Sequence, residues 1–221
     1  MNDDFIIQRS DDWKEARRGK FTASEIHKLM GIKGLGKTGE SYIYEKVAES
    51  LGCPIPHITT YAMQYGTEME DGAKRYYSRL YNVSISDQPF IIAPWCEDCG
   101  ASPDGIVLEW DENNNPITDK PRRGIEIKCP INPAIHVANL MLKDQQELKS
   151  VRTEYYWQIM MCMAVTGLRK WDFVSFFPVI EDGLALFSLA VYADNAEIEL
   201  LKSRIFEAVE MKNQILKSIR S

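Results

Sequence analysis

Short runs that alternate apolar and charged residues mark strands in the middle of the chain. In Gly124-Ile125-Glu126-Ile127-Lys128-Cys129-Pro130, successive side chains point to opposite faces. Ile125, Ile127 and Cys129 then share one face, and Glu126 and Lys128 share the other. Upstream, the turn Ser102-Pro103-Asp104 leads into the apolar run Gly105-Ile106-Val107-Leu108. The two strands can pair antiparallel across the polar loop 111–123, which brings Asp104 near Glu126 and Lys128. Residues 83–94 read as a further strand that ends near Pro94. Trp171–Phe177 and Leu184–Tyr192, rich in aromatic and β-branched residues, read as two more.

Elsewhere the pattern takes a helical period. After a short apolar lead-in over residues 5–8, Ser10 or Asp11 caps a first helix, with Trp13 and Arg17 four apart on one face. A second helix starts at Thr22 or Ser24. Thr22-x-x-Glu25 fits a capping box, so Ser24 is either a cap or an anion contact at a helix N-terminus. Ile43, Val47 and Leu51 place a helix over 41–51, ended by Gly52. Tyr65, Met69, Ala73, Tyr76 and Leu80 stripe a longer helix from about Gln64 to Tyr81, with Glu70 beside the stripe. Asn132-Pro133 opens another. Tyr156, Ile159, Met160, Met163 and Ala164 stripe the next, from about Thr153 to Val165, with Gln158 at its edge and Gly167 at its end. Asp194 caps a final helix to Ile219. The order predicts an α/β fold: a central mixed β-sheet flanked by helices. One domain is expected over 1–221, with a helical part over about 1–82 and the sheet and its helices over about 83–221.

The chain has 221 residues and 45% hydrophobic content, which suits an ordinary globular core. No apolar run approaches the roughly 18 residues of a membrane span, so no membrane partner is expected. The acidic start, Met1-Asn2-Asp3-Asp4, does not read as a signal peptide. Five cysteines, an odd number, then suggest reduced thiols in a cytoplasm. Cys96-x-x-Cys99 has no second pair, and His27, His57 and His136 lack zinc-finger spacing, so free thiols are expected. The net charge of −6 argues against a protein that coats nucleic acid without specificity. Residues 13–37 nevertheless carry seven Lys/Arg against two Glu. Gly31-Ile-Lys-Gly-Leu-Gly36-Lys37-Thr38 matches a P-loop letter for letter, but the segment before it reads as helix where a P-loop needs a strand. A Gly-rich connection whose Lys33 and Lys37 can face phosphates is the simpler account.

Glu126 and Lys128 alone fit a solvated surface pair as well as a metal ligand beside a cation. Asp104 shifts the balance. Phosphodiester hydrolysis needs an activated water and relief of charge at the phosphate, which two metal ions about 3.5–4 Å apart supply. Two Mg²⁺ ions, with Mn²⁺ as the substitute, want oxygen ligands. Asp104, Glu126 and the Ile127 backbone carbonyl fit that need, and Glu70 can hold the second ion. Lys128 would orient the water, help to deprotonate it, or stabilise the phosphorane.

These motifs, Trp13-x-x-x-Arg17 with Thr22-Ala23-Ser24-Glu25, Gly66-Thr-Glu-Met-Glu70, Ser102-Pro103-Asp104-Gly105 and Glu126-Ile127-Lys128-Cys129-Pro130, occur in one order. In that order the chain resembles the bacteriophage lambda exonuclease family, also called YqaJ-like viral recombinases, within the PD-(D/E)xK nuclease superfamily. The resemblance implies a restriction-endonuclease-like core and digestion of linear double-stranded DNA from 5′ ends, leaving a 3′ single strand. It implies Glu70, Asp104 and Glu126 as metal ligands and Lys128 as the catalytic lysine. It also implies that Arg17, Ser24, Ser102 and Gln158 form a pocket for the terminal 5′-phosphate. A homotrimeric ring around DNA and a single-strand annealing protein as partner come with it, as does a phage or prophage role inside a bacterial cell. The Gly31–Gly39 loop and the 111–123 insertion depart from the lambda protein. Other readings stay open: a nuclease of other polarity, an endonuclease, a P-loop nucleotide-binding protein, or a non-catalytic DNA-end binder.

Overall fold

The computed structural model describes residues 10–54, 60–113, 115–118, 123–181 and 183–221. The lead-in over 5–8, His57 and part of the 111–123 loop lie outside them. The chain opens with α1 (Asp11–Arg17), β1 (Phe21–Thr22) and a 3₁₀ helix (Ala23–Leu29), then α2 (Gly36–Ser50) and α3 (Tyr61–Tyr81). Strands follow: β2 (Ser84–Ser86), β3 (Ile91–Ala93), β4 (Cys96–Ala101), β5 (Gly105–Leu108) and β6 (Arg123–Lys128). The remainder is α4 (Pro133–Leu140), α5 (Gln145–Val151), α6 (Thr153–Thr166), β7 (Lys170–Phe176), β8 (Leu186–Tyr192) and α7 (Asn195–Arg220).

The main sheet has the order β2-β5-β6-β7-β8 and is mixed, as the sequence predicts. β5 and β6 pair antiparallel, with Gly105 opposite Ile125. β6 and β7 run parallel, and the crossover between them is α4 to α6. Gly124 lies opposite Trp171, and a Cβ there would sit 2.3 Å from the indole ring. Only glycine admits that ring against the sheet. A smaller sheet, β1-β4-β3, lies apart from the first.

The pleat of β6 divides two cores. Ile125, Ile127 and Cys129 join Val107 and Val174 beneath Ala73 and Tyr77 of α3. The opposite face, with Glu126 and Lys128, looks toward α6. Nine of the 14 residues of α6 are buried, so it is a core helix apolar on every side, and Gln158 is inside rather than at an edge. α2, the 3₁₀ helix and α7 pack around it in the larger core.

Several boundaries differ from the sequence reading. The strand expected over 83–94 is two strands in different sheets, because Pro89 between them has no N–H for a ladder. α2 begins at Gly36, and α5 is an additional helix. Ala73 and Tyr77 are the buried apolar positions of α3, whereas Tyr76 and Leu80 are exposed. The phase follows Tyr77, whose hydroxyl bonds to Asp172 and accepts from Arg123 Nη2 at 3.1 Å, so its polar end is satisfied inside. A 3₁₀ helix, not a strand, precedes Gly31, which removes the context a P-loop requires. Cys96 and Cys99 are free thiols, within β4 rather than at a turn. No described helix is long and apolar enough to cross a membrane.

Candidate active site

The β5–β6 pairing brings the two expected carboxylates together. Asp104 stands at the entry to β5, and its Oδ2 accepts from the Ile127 N–H at 2.6 Å. Glu126, in the middle of β6, is completely buried. A surface pair with Lys128 is therefore ruled out. Lys128 Nζ lies 2.7 Å from Glu126 Oε1, an ion pair inside the fold. Lys128 Nζ also donates to Gln158 Oε1 at 3.2 Å and lies 4.9 Å from the centre of the Tyr155 ring. That ring in turn stacks on Phe173.

Burial sets the electrostatics. It pushes the Asp104 carboxyl well above the usual range, and the nearby Glu126 charge pushes it further, against Lys128. Burial likewise raises Glu126, opposed first by the Lys128 ammonium. For Lys128, burial disfavours the charge, but Glu126 and Asp104 outweigh it and raise its pKa. Lys128 is thus an ammonium here, a donor of charge and protons rather than a free base. Glu70 of α3 is buried nearby and adds to the repulsion on both acids. Its Oε1 is 3.0 Å from Lys74 Nζ, which also pairs with Asp87 at 2.7 Å.

Among the described residues, no three His, Cys, Asp or Glu side chains converge as a closed metal cluster. The donor set still fits a hard divalent cation: it is all oxygen and largely inside the fold, and the crowding of the Asp104, Glu126 and Glu70 carboxylates raises both strand acids. Lys128 and Lys74 supply positive charge to the same carboxylates.

A second cluster lies at the other end of the Ser102-Pro103-Asp104 turn. Ser10 caps α1 by accepting from the Trp13 N–H at 3.1 Å, which starts the helix so that Trp13 and Arg17 share a face. The Arg17 guanidinium lies 3.9 Å over the Trp13 ring. Trp13 Nε1 donates to Ser102 Oγ at 2.9 Å. Arg17 reaches Ser102 Oγ and Ser24 Oγ, each at 3.4 Å, so its described partners are hydroxyls rather than carboxylates. Burial lowers its pKa from the ordinary value, though an arginine remains charged. The capping box at Thr22 does not form: Thr22 makes no side-chain cap bond, and Glu25 pairs with Lys28. Ser24 is exposed beside Arg17, as an anion contact requires.

Arg17, Ser24 and Ser102 are therefore together, while Gln158 joins the lysine side. The sequence reading missed two participants, Lys74 and Tyr155, and the bond between Trp13 and Ser102. Lys74 stands four residues after Glu70, an i,i+4 ion pair that the spacing contains. The Trp13–Ser102 bond spans 89 positions and has no local signal. Neither has the seat that Tyr155 gives Lys128.

With this geometry in place, the likeness to known proteins is specific. The pattern of the YqaJ-like viral recombinase domain matches residues 12–169. The crystal structure of LHK-Exo in complex with dAMP is similar with TM-score 0.78 and 27% identity, over 96% of each chain. LHK-Exo, an alkaline exonuclease from Laribacter hongkongensis, gives 0.77 and 26% in a second structure, again over 96% of each chain. A phage-related exonuclease from Haemophilus somnus shares the fold, with TM-score 0.70 and 16% identity over 90% of this chain and 96% of that one. No curated protein matches the sequence.

Proposed function

We propose that this chain, which belongs to the YqaJ-like viral recombinase family, is a metal-dependent exonuclease that digests linear double-stranded DNA from its 5′ ends. The observation that carries the reading is one turn. Ser102 belongs to the Arg17 cluster and Asp104 to the carboxylate pair, and two residues span at most about 7 Å. A terminal phosphate at Arg17, Ser24 and Ser102 would leave the next phosphodiester beside Asp104 and Glu126. The likeness to LHK-Exo crystallised with dAMP supports the same assignment, since a deoxynucleoside monophosphate is what such digestion releases.

Asp104, Glu126 and the Ile127 carbonyl would hold Mg²⁺, with Glu70 for a second ion once it leaves Lys74; Mn²⁺ has the same preference for oxygen. Bound there, the metal supplies an activated water and neutralises the phosphate. The chain's own groups do the rest. Arg17 forks onto the terminal phosphate, with Ser24 and Ser102 completing its shell. Lys128, held protonated by its carboxylates and aimed by Gln158, stabilises charge on the attacked phosphate. Water adds to phosphorus and the P–O3′ bond breaks. The product is a 5′-mononucleotide, and the shortened strand carries a new 5′-phosphate. That group is the ligand of the Arg17 cluster, so each cut prepares the next. The 3′-ended strand remains for annealing by a partner protein. The family resemblance extends the reading to a homotrimeric ring around DNA, tested by light scattering: a monomer in the active preparation removes it.

The direct test is digestion of a linear duplex in Mg²⁺, labelled separately at each strand terminus, with and without 5′-phosphates. Release from 5′ ends alone, faster with the phosphate, supports the proposal. Internal cuts or release from 3′ ends overturn the polarity and leave a nuclease of another kind.

A further inference from the structure

The segment joining Arg17 to Ser24 is held by buried polar side chains that touch neither cluster directly. Gly19 has φ +69°, and a Cβ there would lie 2.5 Å from Ser50 Oγ, so only glycine fits the turn. Its N–H donates to Glu49 Oε2 at 2.8 Å. Its carbonyl accepts from Lys212 Nζ at 3.0 Å. Three residues on, the Thr22 N–H donates to the Tyr42 hydroxyl at 3.1 Å. Tyr42, Lys46 and Glu49 lie along one buried face of α2, and Lys46 Nζ fixes Glu49 Oε1 at 2.8 Å. Lys212 reaches from α7, 193 positions away, and is itself held by Asp98 of β4.

We propose that Glu49 and Lys212, steadied by Lys46 and Asp98, are positioning residues for the terminal-phosphate pocket. They clamp the peptide units on either side of the Gly19 Cα, Glu49 the one before it and Lys212 the one after it, and Tyr42 clamps Thr22. Arg17 and Ser24 are thereby fixed relative to each other before any ligand arrives. Burying charged groups is costly, and a turn of this kind closes without them. What charged clamps add is directional hold on the two peptide units flanking the Gly19 Cα, two residues from the arginine. A guanidinium displaced by an ångström or so loses its fork onto an anion. The inference rests on the phosphate-pocket reading above.

The test is the ratio of kcat/KM on duplexes with 5′-phosphate to that on duplexes with 5′-hydroxyl ends, in Mg²⁺. Arg17→Ala is the reference and should bring the ratio close to one. Lys212→Met should lower the ratio by about tenfold while changing the 5′-hydroxyl rate less than about twofold, with Lys212→Arg restoring it. Glu49→Gln and Asp98→Asn keep the shape of the clamp, with folding checked by urea unfolding, and should lower the ratio by about threefold, chiefly through KM. These two variants decide the question if Lys212→Met does not fold. If Arg17→Ala removes the preference and the clamp variants keep it, the positioning role is overturned. Equal loss on both substrates also overturns it, because that is a general structural defect. If Arg17→Ala leaves the preference intact, the pocket reading itself fails and this inference with it.

Discussion

Two clusters of buried charge in this protein have opposite bonding. Around Gly19, Lys212 is bonded to Asp98 and a carbonyl, and Glu49 to Lys46 and an N–H. Around β6, the Asp104, Glu126 and Glu70 carboxylates crowd together, and Glu126, completely buried, has Lys128 as its only described cation within 4 Å. The first arrangement is saturated by the chain itself and organises backbone. The second crowds like charges, which raises the carboxyl groups of both strand acids. Buried charge by itself therefore marks neither scaffold nor chemistry. The distinction lies in whether each charge is matched by its own partner or crowded by like charge.

The largest expected effect separates the clusters by activity. Lys128→Ala should cut nuclease turnover on the order of a thousandfold, with binding to duplex ends retained in a gel-shift assay. An active Lys128→Ala protein would remove the β6 cluster from the chemistry. Next comes stability. Lys212→Met leaves the half-buried Asp98 and the Gly19 carbonyl without their cation and should cost about 1–3 kcal/mol in urea unfolding. Asp104→Asn should do the reverse in EDTA, stabilising by about 1 kcal/mol, because it removes one of two repelling buried charges. If both substitutions destabilise alike, the contrast between the clusters is false.

Metal sharpens the contrast further. Mg²⁺ at about a hundred times its Kd should stabilise the wild type by about 2.7 kcal/mol, and Asp104→Asn should lose most of that gain. Calorimetry with and without EDTA measures it, independently of activity. The smallest effect is on pH. Asp104 and Glu126 have folded pKa values above their unfolded ones, so the folded state binds more protons. Their contribution to stability is greatest below about pH 4 and is lost as pH rises through the raised values. In EDTA, the urea midpoint should therefore fall from mild acid toward neutrality, with a flatter slope in Asp104→Asn/Glu126→Gln. Saturating Mg²⁺ should remove the fall. A midpoint that is flat in EDTA would show that the carboxylates are not strained.

Much of this was legible in the chain. The alternation through Gly124–Cys129 assigns the faces of β6, and Pro103-Asp104-Gly105 marks the start of its partner, because side-chain period and turn chemistry are local. The caps at Ser10, Asn132 and Asp194 and the stop at Gly167 are local for the same reason. Where local patterns compete, reading fails. Thr22-x-x-Glu25 has the letters of a capping box, but Lys28 takes Glu25. Tyr76 and Tyr77 are equally apolar neighbours, and only the distant Asp172 and Arg123 decide which one is buried.

The sequence by itself determined which side chains are available and which face of a strand or helix each occupies. Periodicity and capping are properties of a few consecutive residues, so they need nothing else. Only the tertiary structure decided that Glu126 is completely buried, that Gln158 faces Lys128, that Trp13 meets Ser102, and that Lys212 closes on Gly19. Burial and hydrogen-bond partnership depend on which distant segments pack together. The energy of a charge depends on that packing far more than on its neighbours in sequence.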